Sequence, residues 1–430
     1  MEEIRGQVKI EKEKFNKIKK KVESILSLKK EIENSFSQET TEILEVILAG
    51  SIILDASDIH LEPEKKTVKM RLRIDGILHD IILFEPKIYE GLLSRIKLLS
   101  GIKLNITDRA QDGRFTIILE ETPIEIRVST LPSEYGETTV CRILNPKSLI
   151  EIEELGIRED IIDVFKKEIQ RPNGMIIITG PTGSGKTTTL YTILKRIQNP
   201  EVKIITIEDP IEYHLEGISQ TQVNPKKGYD FSNGLKAIIR QDPDIILVGE
   251  IRDLETAKSA IGAALTGHLV LTTLHTNDAA GAVARLQASG EKLVNIAPAL
   301  NLAIAQRLVR KVCQKCAKFE KPNKEESAEI KKELKSLPKK IKIPPLDNLK
   351  IARASRCKFC NFTGYKDRTG IFEFFLVDDE MENFILKSPS ISDLKKMAQK
   401  KGMVSMKKDG LIKVIKGITT IEEVKRVTGE

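Results

Sequence analysis

Gly180-Pro181-Thr182-Gly183-Ser184-Gly185-Lys186-Thr187-Thr188 spells the pattern G-x-x-x-x-G-K-[ST]. The apolar run Met175-Ile176-Ile177-Ile178-Thr179 precedes it, and Thr188-Thr189-Leu190-Tyr191-Thr192-Ile193-Leu194 follows. A β-branched run, a glycine loop and a helical stretch, in that order, form the context a phosphate-binding loop requires. The glycines let successive backbone N–H groups turn inward around phosphate oxygens. Lys186 is expected to neutralise the β and γ phosphates, and Thr187 to hold Mg²⁺ through its hydroxyl. The bland alternative is a Gly-rich turn, which leaves the flanking strand and helix unexplained.

Further apolar, β-branched runs follow the loop: Lys203-Ile204-Ile205-Thr206-Ile207, Asp244-Ile245-Ile246-Leu247-Val248 and His268-Leu269-Val270-Leu271-Thr272-Thr273. They suit a buried parallel sheet with crossover helices, an α/β core. Two of them end in acid. Asp242 to Glu250 places Glu250 just past a hydrophobic strand, where Mg²⁺-bound water or the attacking water is managed in phosphoryl-transfer sites. Glu208-Asp209-Pro210-Ile211-Glu212 is the second acidic strand end. The carboxyl ends of strands line the ligand crevice of an open α/β sheet, so both clusters and the loop point to one site. Glu212 and Glu250 divide the work, one acting on water and one supporting magnesium; the residues alone leave the division open. His275-Thr276-Asn277 is placed to sense a γ-phosphate, whereas His268 and His275 both also admit a core reading. Arg127, Arg142, Arg240, Arg252 and Arg285 are candidate cations for charge developing on the phosphate, with surface salt bridges as the default.

The cysteines form a second signal. Cys313-Gln314-Lys315-Cys316 and Cys357-Lys358-Phe359-Cys360 are two C-x-x-C pairs, able to supply four thiolates to a closed tetrahedral Zn²⁺ site. The long Lys/Glu/Pro-rich stretch between them reads as an exposed flap. Cys141 lies in an apolar stretch and reads as core.

At 430 residues the chain exceeds one ordinary core. No apolar run reaches the roughly 18–20 residues that span a bilayer, and Met1-Glu2-Glu3-Ile4-Arg5 has no apolar signal core, so export is not expected. A net charge of +8 arises from 70 basic and 62 acidic residues, a mixture that suits a salt-bridged surface. Aromatics are 4% with no Trp, which leaves few stacking platforms for single strands and argues against a nucleic-acid motor. The Lys/Glu/Ile bias is a weak thermophile signal.

Five segments follow. Residues 1–40 read as a charged amphipathic helix or linker, with Ile4, Val8, Phe15, Ile18, Val22, Ile25, Ile32 and Phe36 in one stripe. That stripe docks on the protein itself, on a partner or on a membrane surface. Residues 41–150 read as an α+β domain, with strands at Thr67–Ile74, Phe115–Leu119 and Ile124–Val128 and several arginines on one sheet face. Residues 151–305 form the nucleotide core, 306–365 the tetracysteine segment and 366–430 a helical end.

Taken together, the chain resembles the secretion ATPases of type II secretion and type IV pilus assembly, close to the GspE branch. Ala56-Ser57-Asp58-Ile59-His60-Leu61-Glu62-Pro63, Arg73-Ile74-Asp75-Gly76, Gln111-Asp112-Gly113-Arg114 and Arg127-Val128-Ser129-Thr130-Leu131-Pro132 carry the likeness. So do the phosphate loop, Ile207 to Glu212, Arg240 to Asp253, Thr266 to Asn277, and the cysteine pairs with Thr363-Gly364-Tyr365. The resemblance covers residues 41–430. It implies a RecA-like core with a PAS-like N-terminal domain and a zinc-binding, helical C-terminal subdomain. It further implies a homohexamer at the cytoplasmic face of the inner membrane, hydrolysing ATP to drive pseudopilus extrusion through a platform protein. A type IV pilus extension or competence motor is the alternative. In this resemblance Glu212 acts on the attacking water, Glu250 is the Walker B carboxylate, and Arg127 and Arg142 reach the γ-phosphate. Cys313, Cys316, Cys357 and Cys360 hold zinc. The cysteine knuckles favour extension or secretion over retraction, and Tyr213 to Ile218 with Val223-Asn224-Pro225 favours secretion. Many members carry a further domain, which docks on a membrane-anchored partner, ahead of the segment matched at residue 41. Here residues 1–40 stand in that place, so either that domain is missing or recruitment runs through the helix alone. Lys236 stands where the family often has Arg, which removes a planar fork.

Overall fold

The computed structural model describes residues 6–146, 150–338, 341–346 and 348–429. The chain folds as two compact units. One comprises Met1–Ser148, Cys313–Ala317 and Ala354–Asp367; the other comprises Leu149–Val312, Lys318–Arg353 and Arg368–Glu430.

The first unit is built on a seven-stranded sheet: β1 (Gln7–Ile10), β2 (Ala56–Pro63), β3 (Val68–Ile74), β4 (Ile77–Phe84), β5 (Gln111–Leu119), β6 (Thr122–Ser133) and β7 (Gly136–Leu144). Their spatial order is β1-β5-β6-β7-β2-β3-β4. β3 alternates buried Val68, Met70, Leu72 and Ile74 with half-exposed Lys69, Arg71 and Arg73, as a half-covered strand must. Asp75 and Gly76 both take positive φ, at 50° and 83°. That geometry matches a hairpin turn with the twist of its strands. Helices Thr40–Ile53 and Pro86–Leu99 supply Ile43, Leu44, Ile47, Leu48, Leu92 and Ile96 to the unit's core.

The N-terminal segment is not one helix. Gln7–Ile10 is a strand lying parallel on β5, with Gln7 opposite Thr116. Two short helices follow, Lys12–Lys21 and Ile25–Asn34. Val22 is extended between them, and Ser24 caps the second helix by accepting from the Ser27 N–H. A helical stripe and an alternating strand share apolar positions over so short a run as Val8 to Ile10, so spacing alone misreads the start. Phe15, Ile18, Val22, Leu28 and Ile32 are buried in this unit's own core. Ile4 lies outside the described residues.

The second unit holds β8 (Gly174–Thr179), β9 (Ile204–Glu208), β10 (Ser219–Gln222), β11 (Ile245–Val248), β12 (Leu269–Leu274), β13 (Leu300–Val312), and a last strand that we number β16 (Tyr365–Leu376), after β14 (Lys318–Glu320) and β15 (Ile351–Arg353). The main sheet runs β10-β9-β11-β12-β8-β13-β16, and the pairs from β10 to β13 are parallel. One face buries Ile177, Ile207, Val248 and Val270 with helices Phe231–Ile239 and Leu254–Leu265. The other buries Ile176, Ile178, Leu247 and Leu271 with helices Glu159–Glu168 and Lys186–Ile197. Cover on both faces explains why these strands read as continuous apolar runs.

The stretch between the cysteine pairs is not an exposed flap. β14 and β15 pair antiparallel, and helix Lys324–Leu334 lies between them in sequence. Ile330 and Leu334 bury with Leu349, Ile351, Leu411, Val414 and Val424 in a small separate core. Arg353 grips Glu326 through Nη1 at 2.7 Å and Nη2 at 2.6 Å. Averaged composition hides one apolar helix stripe among many Lys and Glu.

Candidate nucleotide site and four-cysteine centre

The loop leaves β8 and enters helix Lys186–Ile197 with Gly180, Gly183 and Gly185 at φ of 150°, 77° and 87°. A Cβ on Gly180 would stand 2.6 Å from both the Gln306 carbonyl oxygen and Ser184 Oγ, so only glycine fits. Ser184 Oγ is buried without a hydrogen-bond partner in the structure. Lys186 Nζ folds back onto two loop carbonyls, Gly180 O at 2.8 Å and Pro181 O at 3.2 Å. An unpartnered buried hydroxyl, a lysine satisfied only by neutral carbonyls, and a helix N-terminus without a side-chain cap fit an anion seated in the loop.

The acidic strand ends have different fates. Glu208 is buried and serves structure: Tyr191 Oη donates to it, as do Thr206 Oγ1 at 2.6 Å and Gln220 Nε2 at 3.2 Å. Tyr191 Oη in turn accepts the Glu212 N–H at 3.2 Å, which fixes the backbone of that half-buried acid. Glu250, just past β11, receives Arg252 on Oε1 and has His275 Nε2 3.5 Å from Oε2. Arg252 also lies 3.7 Å from Asp209. Burial lowers the Lys186 ammonium pKa, Glu250 and Glu212 oppose that, and Arg307 adds to it. Glu250, Glu212 and Arg307 thus all lie near enough to Lys186 to act on its charge. Thr179 at the end of β8 is locked to the exit of β12: its Oγ1 donates to Leu274 O at 3.0 Å and accepts the Thr276 N–H at 2.8 Å.

His268 is not part of this group. Its Nδ1 lies 3.0 Å from Ala263 O, at the end of helix Leu254–Leu265. Arg240 and Arg285 are exposed, as is Lys236. Gln306 and Arg307 on β13, and Tyr191, are site-shaping residues that no motif marked. The expected domain boundary at 305 falls inside β13 and concealed the first two; the polar Gln306 ending the apolar run Leu302–Ala305 was the available signal.

In the first unit, Arg127 stands opposite Arg142 and Arg114, and Asp58 stands opposite Arg142 and Arg73. Arg142 Nε donates to Asp58 at 2.9 Å and Arg127 Nε to Glu125 at 3.0 Å. Cys141 is core, as expected, with burial pushing its thiol up to about 12.

The four cysteines converge. Sγ distances are 3.8 Å for Cys313–Cys357, 3.8 Å for Cys316–Cys360 and 3.6 Å for Cys357–Cys360. All four lie within 4.8 Å of one another. A tetrahedral Zn²⁺ with bonds of about 2.3 Å places its sulfurs about 3.8 Å apart, so the donor set fits. The Gly364 N–H donates to Cys360 Sγ at 3.3 Å, an outer contact of the kind that orients a thiolate.

Fold and site together define a phosphate-loop α/β protein with paired carboxylates at its strand ends. Residues 34–426 match the family described as type II/IV secretion system protein, and the chain belongs to that family. It is 42% identical over 407 residues to the type IV pilus assembly ATPase PilB of Thermus thermophilus, covering 94% of this chain and 44% of that one. It is 43% identical over 392 residues to the type II secretion system ATPase E of Vibrio cholerae, covering 90% and 75%. The chain thus spans less than half of the first relative and three quarters of the second. Among solved structures, the ATPase DotB of Legionella pneumophila aligns with a TM-score of 0.66 at 21% identity, over 90% of this chain and 95% of that one, a likeness of fold. The pilus retraction motor PilT, solved with ADP, aligns with a TM-score of 0.60 at 25% identity, over 89% and 96%. The mixed α/β sheets and these neighbours are consistent with a RecA-like ATPase.

Proposed function

We propose that this chain is the ATP-hydrolysing motor of a type II secretion system, powering pseudopilus assembly at the cytoplasmic face of the inner membrane. The observation that carries the reading is a loop that fits an anion, with Ser184 Oγ buried and unpartnered and Lys186 Nζ held by the carbonyls of Gly180 and Pro181, in a family whose matched members include type II secretion ATPases.

On this reading Lys186 exchanges the carbonyls of Gly180 and Pro181 for β and γ phosphate oxygens. Gly180 to Thr188 wrap the phosphates, and the Thr187 hydroxyl would hold Mg²⁺, which would offset the charge on the phosphates. Glu212 orients and deprotonates the attacking water. Glu250 supports the magnesium side, and His275, 3.5 Å from it, registers the γ-phosphate. Arg127 and Arg142 supply cations where charge develops; the ion pairs to Glu125 and Asp58 hold both forks ready. Cys313, Cys316, Cys357 and Cys360 would hold a structural Zn²⁺. The first unit is PAS-like, and the subunits assemble as a homohexamer on a membrane platform protein and a membrane-anchored cytoplasmic-domain partner.

Type IV pilus extension is the second reading, favoured by the match to PilB across 94% of this chain. A complementation test separates them. Restored secretion in a strain lacking its type II ATPase supports the first reading, and restored piliation without secretion supports the second. No phosphate release by the purified chain with Mg²⁺ and ATP, at any protein concentration, would remove both.

A further inference from the structure

β13 brings two polar side chains against the phosphate loop, and they behave differently. Gln306 is 2% exposed and uses both ends of its amide on the loop and its helix. Its Nε2 donates to Ser184 O at 2.9 Å, and its Oε1 accepts from Thr189 Oγ1 at 2.8 Å. Gln306 is thereby committed to shaping the loop.

Arg307 is committed to nothing charged. Its Nη1 donates to Gln306 O at 2.9 Å and its Nη2 to Asn277 O at 3.1 Å. Among the described residues no carboxylate reaches it within ion-pair distance; Glu373 and Asp278 act on it only at longer range. Yet the residue is half-buried, with Nη1 on the more sheltered side. A cation partly withdrawn from water and held by neutral carbonyls has lost hydration without gaining a counter-charge. It also lies against the loop itself. A Cβ on Gly180 would stand 3.1 Å from Nη1, and the carbonyl of that same Gly180 accepts from Lys186 Nζ. Lys186 and Arg307 therefore flank one peptide at the mouth of the loop.

We propose that Arg307 is a phosphate ligand supplied by the same subunit that supplies the loop, and that it distinguishes a nucleoside triphosphate from a diphosphate. The inference rests on the nucleotide reading above. With a triphosphate seated, the guanidinium turns from Asn277 O to an oxygen of the terminal phosphate. Asn277 belongs to the segment that also carries His275, the neighbour of Glu250. Release of its carbonyl makes the filling of the loop felt at Glu250. A planar fork on this phosphate is not reproduced by a lysine.

The test uses the purified full chain with Mg²⁺, fluorescent ADP and a non-hydrolysable fluorescent ATP analogue, at concentrations dilute enough to hold the chain monomeric. Arg307→Gln is expected to weaken the triphosphate analogue about tenfold and ADP less than about twofold, the scale of one charge-assisted hydrogen bond. Arg307→Lys should restore part of the preference, with kcat still reduced. If Arg307 merely braces two strand ends, Arg307→Gln weakens both nucleotides in step with a fall in Tm, and that result overturns the proposal. An unchanged preference in a folded Arg307→Gln protein overturns it as well. Should Arg307→Gln not fold, Arg307→Lys must show the preferential loss, or the proposal fails. Wild-type chain that binds neither nucleotide removes the nucleotide reading itself, a different outcome from wild-type binding with an unaltered preference in the variants.

Discussion

On the proposed reading hydrolysis turns on Lys186, which cancels phosphate charge, and on Glu250, which supports the magnesium side. Lys186→Ala and Glu250→Gln are each expected to lower ATP turnover at least about a hundredfold, the scale of losing a transition-state charge partner. Both variants should keep wild-type circular dichroism and Tm; phosphate release near the wild-type rate in either would sink the assignment. Gly180→Ala tests the loop differently. Its methyl would meet Gln306 O and Ser184 Oγ at 2.6 Å, on a backbone with φ of 150°. We expect nucleotide binding to fall below detection by titration while the sheet melts cooperatively as before. The loop and its acidic strand ends were legible as candidates in the sequence because local spacing carries their pattern. Gln306, Arg307 and Tyr191 were not, because their role depends on which strand lies beside β8 and which acid faces the loop helix. Those are pairings between residues far apart in sequence, and no local pattern encodes them. Glu208 shows the same limit from the other side: it sits in the expected acidic cluster, yet the fold spends it on Tyr191, Thr206 and Gln220.

Among the elements, the strands of the second sheet announced themselves by composition, since strands covered on both faces have no polar alternation to confuse. The short N-terminal strand and the helix Lys324–Leu334 did not, the first because four residues fit two periods, the second because its charged face dominates the average. Helix Ile421–Thr428 closes the unit through Glu423, which is buried and accepts from Arg310 Nη2 at 2.5 Å and from Arg426 Nε at 2.9 Å. Burial alone would raise its pKa, but the bonds from Arg426 and Arg310 outweigh that and hold the carboxyl at about 2, against an ordinary 4.5. A depressed folded pKa stabilises above the unfolded value and loses that stability as pH falls. The contribution should therefore be complete above about pH 5, decline from about pH 4.5, and vanish near pH 2. Glu423→Gln is expected to cost on the order of 2 kcal/mol at pH 7. The difference from wild type in urea or thermal unfolding should shrink through that acid window; a gap independent of pH between 7 and 3 would show that shape rather than charge holds this helix.

For the whole molecule, the cysteine centre decides how the chain is partitioned. Cys313–Ala317 and Ala354–Asp367 belong to the first unit, although Lys318–Arg353 between them belongs to the second. The sequence suggested one continuous metal-binding segment, and the fold instead interleaves two units along the chain. Within the first unit, Asn361, one residue past the last cysteine, accepts the Ile25 N–H at 2.8 Å at the start of helix Ile25–Asn34. The knuckle thus completes a helix start some three hundred residues earlier, satisfying an N–H that the helix cannot. If zinc sets the knuckle's shape, its loss should be felt at that helix and not in the small core around Ile330 and Leu334, which has its own apolar packing. Metal analysis of the purified chain should give about one zinc per subunit, and Cys313→Ser with Cys357→Ser should abolish it. Hydrogen exchange on that variant, or after chelation, is expected to quicken over Ile25–Asn34 and Ala354–Asp367 while Lys324–Leu334 stays protected. Faster exchange at Lys324–Leu334 with no change at Ile25 would mean that the metal serves the second unit, and would overturn this assignment of the knuckle to the first.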